Sequence, residues 1–231
     1  MFKIIGHRGA AGLEPENTLR SFKKALELGV DYIETDVRVT SDGYLVLMHD
    51  ETVDRTTNGS GRVDRLTFEE IRRLDAGQGE RVPTLEELLD LAEGRVGLHI
   101  ELKDGRALER VVRLVEAKGM VDEVFLTSGD PELLKKVREL NPQIKTELIF
   151  GDPPEDAVAR ALEAEAKRIS CHHKFLTREF VREAHESGLE VIAWPPNTIE
   201  EMKKALDFGV DLICTDRPDI AVRLKEELGE D

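Results

Sequence analysis

Two periodicities alternate along the chain. Short apolar runs rich in Val, Ile and Leu give way to longer stretches in which apolar residues recur every three or four positions. The first pattern reads as buried strand, the second as amphipathic helix. Residues 3–6 form the first apolar run, which ends in the glycine-rich turn Gly6-His7-Arg8-Gly9. A helix over 19–28 follows, with Asn17 or Thr18 placed to cap it and Gly29 to stop it. Strand periodicity returns at 31–37. From Pro83-Thr84-Leu85, which opens a helix to about residue 93, the rhythm is regular. Strands are predicted at 96–103, 123–127, 145–150, 167–171, 189–194 and 211–215. Helices are predicted at 107–118, 131–140, 154–164, 177–187 and 198–208, with a last one from about 218 to 228.

Eight strands alternating with helices predict a closed (β/α)8 TIM barrel. The rival is an open doubly wound sheet. It expects a G-x-G-x-x-G turn after the first strand, and His7-Arg8-Gly9-Ala10-Ala11-Gly12 does not supply one. One stretch breaks the rhythm. Asp42-Gly43 sits between two strand-like arms and signals a hairpin. With those two as the turn, Asp36 faces His49. Residues 51–80 are polar and turn-rich, with one short helix over 67–74 opened by a Thr67/Glu70 capping box. The expectation is one domain over 1–231, with the hairpin and a small insertion at about 38–82.

Composition narrows the classes. The chain has 231 residues, 40% of them hydrophobic and 35% charged. Only two glutamines, Gln78 and Gln143, occur, a weak lean towards a heat-adapted source. The net charge is −15 and the pI about 4.9, with no Lys/Arg cluster to oppose the excess. Nucleic acid and anionic membrane surfaces are therefore not expected partners. No apolar run approaches the ~18 residues of a membrane span, and Met1–Ala11 has no apolar signal-peptide core. Cys171 and Cys214, both in apolar runs, are expected as buried reduced thiols, and the expected location is cytoplasmic. An anionic small substrate would need local positive charge from a metal, an Arg or a Lys.

In a barrel, reactive groups come from the C-terminal strand ends. His7 and Arg8 stand at the end of the first strand. Glu34 and Asp36 lie two apart on the second and so share a face. In 97–103, Leu98, Ile100 and Leu102 alternate with His99, Glu101 and Lys103. The apolar set should face the helices, which sends the polar set inward. Glu34, Asp36 and Glu101 then converge as oxygen ligands suited to Mg2+ or Ca2+. The alternative is a network of buried carboxylates paired with Arg8 and Lys103. His7 and His49 are two imidazoles at the same mouth, and the alternative is one ligand and one structural histidine. His99, deeper in its strand, reads as a hydrogen-bonded interior residue. His172 and His173 read as loop histidines.

Several segments together resemble the glycerophosphodiester phosphodiesterase family across nearly the whole length. They are His7-Arg8-Gly9, Pro15-Glu16-Asn17-Thr18, Glu34-Thr35-Asp36-Val37, His49-Asp50, Arg55-Thr56-Thr57-Asn58-Gly59, Pro83-Thr84-Leu85, Ile100-Glu101-Leu102-Lys103 and Gly209-Val210-Asp211 through Thr215-Asp216-Arg217-Pro218. The resemblance implies a (β/α)8 barrel that hydrolyses a small-molecule glycerophosphodiester to glycerol phosphate and an alcohol. It implies one divalent cation, Mg2+ or Ca2+, on Glu34, Asp36 and Glu101. It also implies His7 and His49 as the acid–base pair, Arg8 and Lys103 near the phosphate, and the 51–82 excursion as a partial cover. Trp194, at the end of the seventh barrel strand, could pack against the glycerol or the alcohol group. Pro195-Pro196-Asn197-Thr198 departs from the family's pattern there and leaves the preferred alcohol open. The oligomeric state is open too. Two rivals stand beside this reading: an isomerase or aldolase-like lyase on the same barrel, which needs no three metal carboxylates, and a non-catalytic phosphoglycerol-binding protein.

Overall fold

In the computed structural model, which describes residues 2–229, eight parallel strands close on themselves. They are β1 (Lys3–Gly6), β2 (Tyr32–Val39), β4 (Gly97–Leu102), β5 (Val124–Ser128), β6 (Lys145–Phe150), β7 (Arg168–His172), β8 (Glu190–Trp194) and β9 (Leu212–Thr215). Closure comes from β1, which pairs in parallel with both β2 and β9. The ninth strand, β3 (Leu45–Leu47), is antiparallel to the upper end of β2. The helices are α1 (Leu19–Glu27), α2 (Phe68–Arg72), α3 (Leu85–Ala92), α4 (Leu108–Ala117), α5 (Pro131–Leu140), α6 (Ala157–Glu163), α7 (Arg178–Glu186), α8 (Ile199–Phe208) and α9 (Pro218–Glu227). The expected TIM barrel is therefore the fold.

Local chemistry sets the element ends. Thr18, not Asn17, caps α1 by accepting from the Ser21 amide. Thr67, Thr84 and Thr198 each open a helix with a full capping box. Gly209 ends α8 at φ +95°, a conformation glycine adopts without strain.

The main core lies between strands and helices, where Leu98, Ile100 and Leu102 of β4 are buried. The inside of the barrel is divided. On the β1, β8 and β9 side it is apolar, with Ile5, Ile192, Leu212 and Cys214 in contact. Across from them lies a charged stack. Arg168, 2% exposed, sits 3.8 Å above the Phe125 ring centroid. Its Nε donates to Glu190 Oε2 at 2.6 Å, and its Nη1 lies 2.8 Å from His99 Nε2. Both cysteines are buried and unpaired. Among the described residues, no helix is long and apolar enough to cross a membrane.

One expectation fails here. The hairpin turn is not the two residues Asp42-Gly43. Val37 pairs with Leu47 and Val39 with Leu45, so Asp36 stands opposite Met48 rather than His49. Thr40 pairs with Tyr44, which leaves a three-residue loop, Ser41-Asp42-Gly43, with Gly43 at φ +91°. Side chains select this longer loop. The Asp42 carboxylate accepts from Thr40 Oγ1 (2.6 Å) and from the Phe68 amide (2.9 Å), and Thr40 Oγ1 accepts from the Tyr44 amide. Such a slip would turn a regular strand to its other face. β3 ends at Leu47, however, and His49 follows outside the ladder, so it reaches the barrel mouth from a bend.

Candidate active site

The β1–α1 turn is folded tightly onto itself. A Cβ at Gly6 would collide with the Gly9 carbonyl oxygen, and Arg8 takes the left-handed conformation at φ +49°, costly for a residue with a Cβ. The turn delivers His7 and Arg8 to the mouth together. His7 Nδ1 lies 2.6 Å from Asp216 Oδ1, and its Nε2 lies 3.9 Å from Glu34 Oε2. Asp216 is itself locked by Asn197, whose Nδ2 donates to its second oxygen at 2.7 Å and whose Oδ1 accepts from the Asp216 amide. The asparagine that follows the two prolines thus holds the end of β9.

Glu34 and Asp36 on β2 and Glu101 on β4 point into the same space, each offering an oxygen within 4.8 Å of the others. Burial, reinforced by the charge of Asp36, pushes the Glu34 carboxyl up to about 8. Burial pulls Asp36 the same way, but Arg8 and Lys103 outweigh it and hold that carboxyl below its ordinary range. Arg8 Nε is 3.3 Å from Asp36, and Lys103 Nζ is 2.8 Å from Glu101 and 3.6 Å from Asp36. Asn17, at the head of α1, donates to Asp36 at 2.9 Å.

His49 arrives from the hairpin arm. Its Nδ1 lies 2.7 Å from Asp50 Oδ1. Its carbonyl accepts from both Nε (3.0 Å) and Nη2 (2.8 Å) of Arg38. Arg55 of the insertion binds Asp50 and also Glu16, which in turn binds Arg8. The two histidines differ. Burial lowers both, but at His7 the bond to Asp216 and the charge of Glu34 prevail and the net shift is upward, whereas His49 stays below its ordinary value.

These groups line one pocket, together with His99, Lys103, Thr127, Glu147, Trp194 and the apolar side chains of the β1–β9 half. The structure therefore gathers His7, His49, Glu34, Glu101, Arg8, Lys103 and Trp194 around one space, with Asp36 fully buried against it. His99 is the expected interior residue, bonded on both nitrogens. His172 and His173 stay out of the cluster. They stack on each other at 4.9 Å, and His172 meets the Trp194 ring edge-on at 5.1 Å. Residue-by-residue reading missed Asp50, Asp216, Asn17, Glu16 and Arg38 as partners of the reactive groups. All but Arg38 lie in the quoted motif segments, which is the one signal that could have found them.

Residues 7–220 match the Glycerophosphoryl diester phosphodiesterase family. The glycerophosphodiester phosphodiesterase of Caldanaerobacter subterraneus subsp. tengcongensis is 36% identical over 239 residues, covering 98% of each chain. That of Bacillus altitudinis is 34% identical over 244 residues, covering 99% of this chain and 100% of its own. Among solved structures, the glycerophosphodiester phosphodiesterase from Agrobacterium tumefaciens superposes with a TM-score of 0.85 at 34% identity, covering 96% of this chain and 100% of that one. An Oleispira antarctica phosphodiesterase, solved with the product sn-glycerol-3-phosphate, superposes with a TM-score of 0.91 at 26% identity, covering 98% and 96%. On its barrel, the site at the mouth and these full-length matches, the chain belongs to the glycerophosphodiester phosphodiesterase family of phosphoric diester hydrolases.

Proposed function

We propose that this enzyme hydrolyses glycerophosphodiesters to glycerol phosphate and an alcohol with one divalent cation, Mg2+ or Ca2+, and with His7 and His49 as the acid–base pair. The observation that carries the reading is the pair of imidazoles. Each is tied through Nδ1 to its own carboxylate, Asp216 or Asp50, which leaves Nε2 for the shared pocket. A carboxylate on one ring nitrogen fixes the tautomer and the orientation of the other.

Glu34, Asp36 and Glu101 fit a hard cation. Three carboxylates face two neighbouring cations, Arg8 and Lys103, and Glu34 resists ionisation where it stands. Oxygen-only donors of this kind suit Mg2+ or Ca2+ and not a thiolate-seeking metal. When bound, the cation supplies positive charge against the phosphoryl oxygens as negative charge builds on them.

The remaining work falls to the chain. The Arg8 guanidinium matches phosphate oxygens in its fork geometry, and Lys103 adds a point charge beside it. One imidazole takes the proton of the attacking hydroxyl and the other gives one to the departing oxygen, each step worth ~10²–10⁴-fold. The attacking group is water or the neighbouring glycerol hydroxyl. Trp194 offers a flat apolar wall for the carbon skeleton.

The test is release of glycerol phosphate from glycerophosphoethanolamine and glycerophosphocholine with Mg2+ or Ca2+, and again with EDTA. His7→Ala, His49→Ala and Glu101→Ala run alongside. Cation-dependent release, lost in all three folded variants, with a bell-shaped pH dependence, is the expected result. Release that survives EDTA would remove the cation from the reading, and a profile flat from about pH 5 to 9 would remove the paired imidazoles. We place the enzyme in the cytoplasm on its two unpaired buried cysteines, which cell fractionation checks.

A further inference from the structure

The parallel register continues the carboxylate row around the barrel. Asp36 pairs with Glu101, Glu101 with Thr127, and Thr127 with Glu147. Neighbouring strands are ~4.8 Å apart, so Thr127 and Glu147 extend the line of proposed cation ligands across the pocket floor. Both line the pocket, and neither belongs to the acid–base pair or to the group of three.

Each is left with something to bind. Thr127 is 1% exposed, and its Oγ1 has no hydrogen-bond partner among the described residues. Buried orphan hydroxyls are uncommon and costly. Glu147 is 4% exposed. Its Oε2 lies 2.5 Å from His99 Nδ1, while its Oε1 receives no hydrogen bond from the described residues. The direction of that bond is settled from the far side of the ring. Arg168 can only donate to His99 Nε2, so Nε2 accepts and Nδ1 carries the proton. Glu147 is therefore an acceptor, fixed in place, with one oxygen to spare.

An unpaired hydroxyl beside a fixed carboxylate oxygen suits an alcohol O–H. It repels a phosphate, and an apolar group would leave both atoms unpaired. Resting on the hydrolytic reading above, we propose that Thr127 and Glu147 form a subsite for the terminal hydroxyl of the glycerol moiety and set the enzyme's preference for glycerol over shorter-functionalised diols.

The experiment compares two ligands in Mg2+ that differ only in that hydroxyl, sn-glycerol 3-phosphate and 2-hydroxypropyl phosphate. Binding is read by calorimetry, and kcat and KM are measured on the corresponding phosphocholine diesters. Wild type should favour the glycerol ligand by about tenfold to a hundredfold, the usual effect of a hydrogen bond to a charged group. In Thr127→Val and Glu147→Gln the two ligands should converge to within about threefold, with the change in KM rather than kcat. Thr127→Val should keep or raise the thermal midpoint, because it removes a buried orphan.

Unchanged discrimination in both variants overturns the subsite, as does a lowered midpoint with unchanged binding, which marks a structural role. A preference for ethanolamine over choline diesters that disappears in Glu147→Gln, with the hydroxyl preference intact, assigns the carboxylate to an ammonium group and also overturns it. If wild type cleaves neither diester yet binds the glycerol ligand more tightly, and the variants lose that margin, the hydrolytic reading fails and the subsite stands.

Discussion

At Glu34 three carboxylates meet, two of them buried and that of Glu101 half-buried, and two predictions belong to single residues there. Glu34 is pushed up to about 8 by burial and by Asp36, so its charge opposes folding when nothing else neutralises it. Glu34→Gln should raise the thermal midpoint in EDTA by a few degrees, ~1 kcal/mol for a domain of this size, while activity falls by at least ~10²-fold. Differential scanning calorimetry with and without Mg2+ checks both, since wild type should be stabilised by the cation and the variant much less. The second concerns Asp216, which holds His7 Nδ1. Asp216→Asn removes the acceptor that fixes the tautomer, so kcat should drop ~10²-fold or more with KM nearly unchanged. A variant with wild-type kcat would show that the bond is only structural. These residues were partly legible. Spacing alone placed Glu34 with Asp36 and Glu101 with Lys103, because alternation on a strand is local. Asp216 lies 209 positions from His7, and no local rule reaches that far.

Among the elements, the hairpin arm and the insertion show where local rules mislead. Asp42-Gly43 is a strong two-residue turn signal, but Thr40 and Phe68 recruit the Asp42 carboxylate and enlarge the loop. His49 is instead aimed by Arg38, which grips its carbonyl, and by the Asp50–Arg55–Glu16 chain that ties the insertion to the β1–α1 loop. Arg55→Met should loosen that tie. Arg55 is 47% exposed, so solvent screening keeps the loss of stability to ~0.5–1 kcal/mol at neutral pH. The pH dependence has a definite sign. Hydrogen bonds from Arg55 hold Asp50 well below its ordinary value, and at Glu16, where burial pushes up, they and Arg8 still bring it down. Groups lowered in the fold contribute fully above their unfolded values of 3.8 and 4.5, and lose that contribution as pH falls through the folded ones. Wild type and Arg55→Met should therefore differ most in urea midpoint above about pH 5 and converge in acid. A constant difference down to pH 2 would contradict the linkage.

For the whole molecule, we infer that residues 1–231 act as one folding unit. The insertion's own cluster, from Val46 to Val82, is small and borrows Val46 and Met48 from the hairpin arm, so the insertion has little with which to fold alone. Trp194 is the only tryptophan and sits at the barrel mouth. Its fluorescence and the far-UV circular dichroism should report one coincident urea transition. Two separated transitions would divide the chain into units.

What the sequence determined by itself is whatever repeats over a few residues. The alternation of apolar runs and amphipathic stretches fixed the strand and helix order. The inward set His99, Glu101, Lys103 followed from the two-residue period of a strand, and the Thr67 cap from hydrogen bonds that reach three positions. Only the tertiary structure decided what closure brings together. The barrel puts β9 beside β1, and so Asp216 on His7. Its register sets Thr127 and Glu147 in line with Glu101. The charged stack from Glu190 to Glu147 orients His99 from across the interior. Such contacts depend on strands meeting side by side, and a linear chain carries no local signal for which side chains will share a layer.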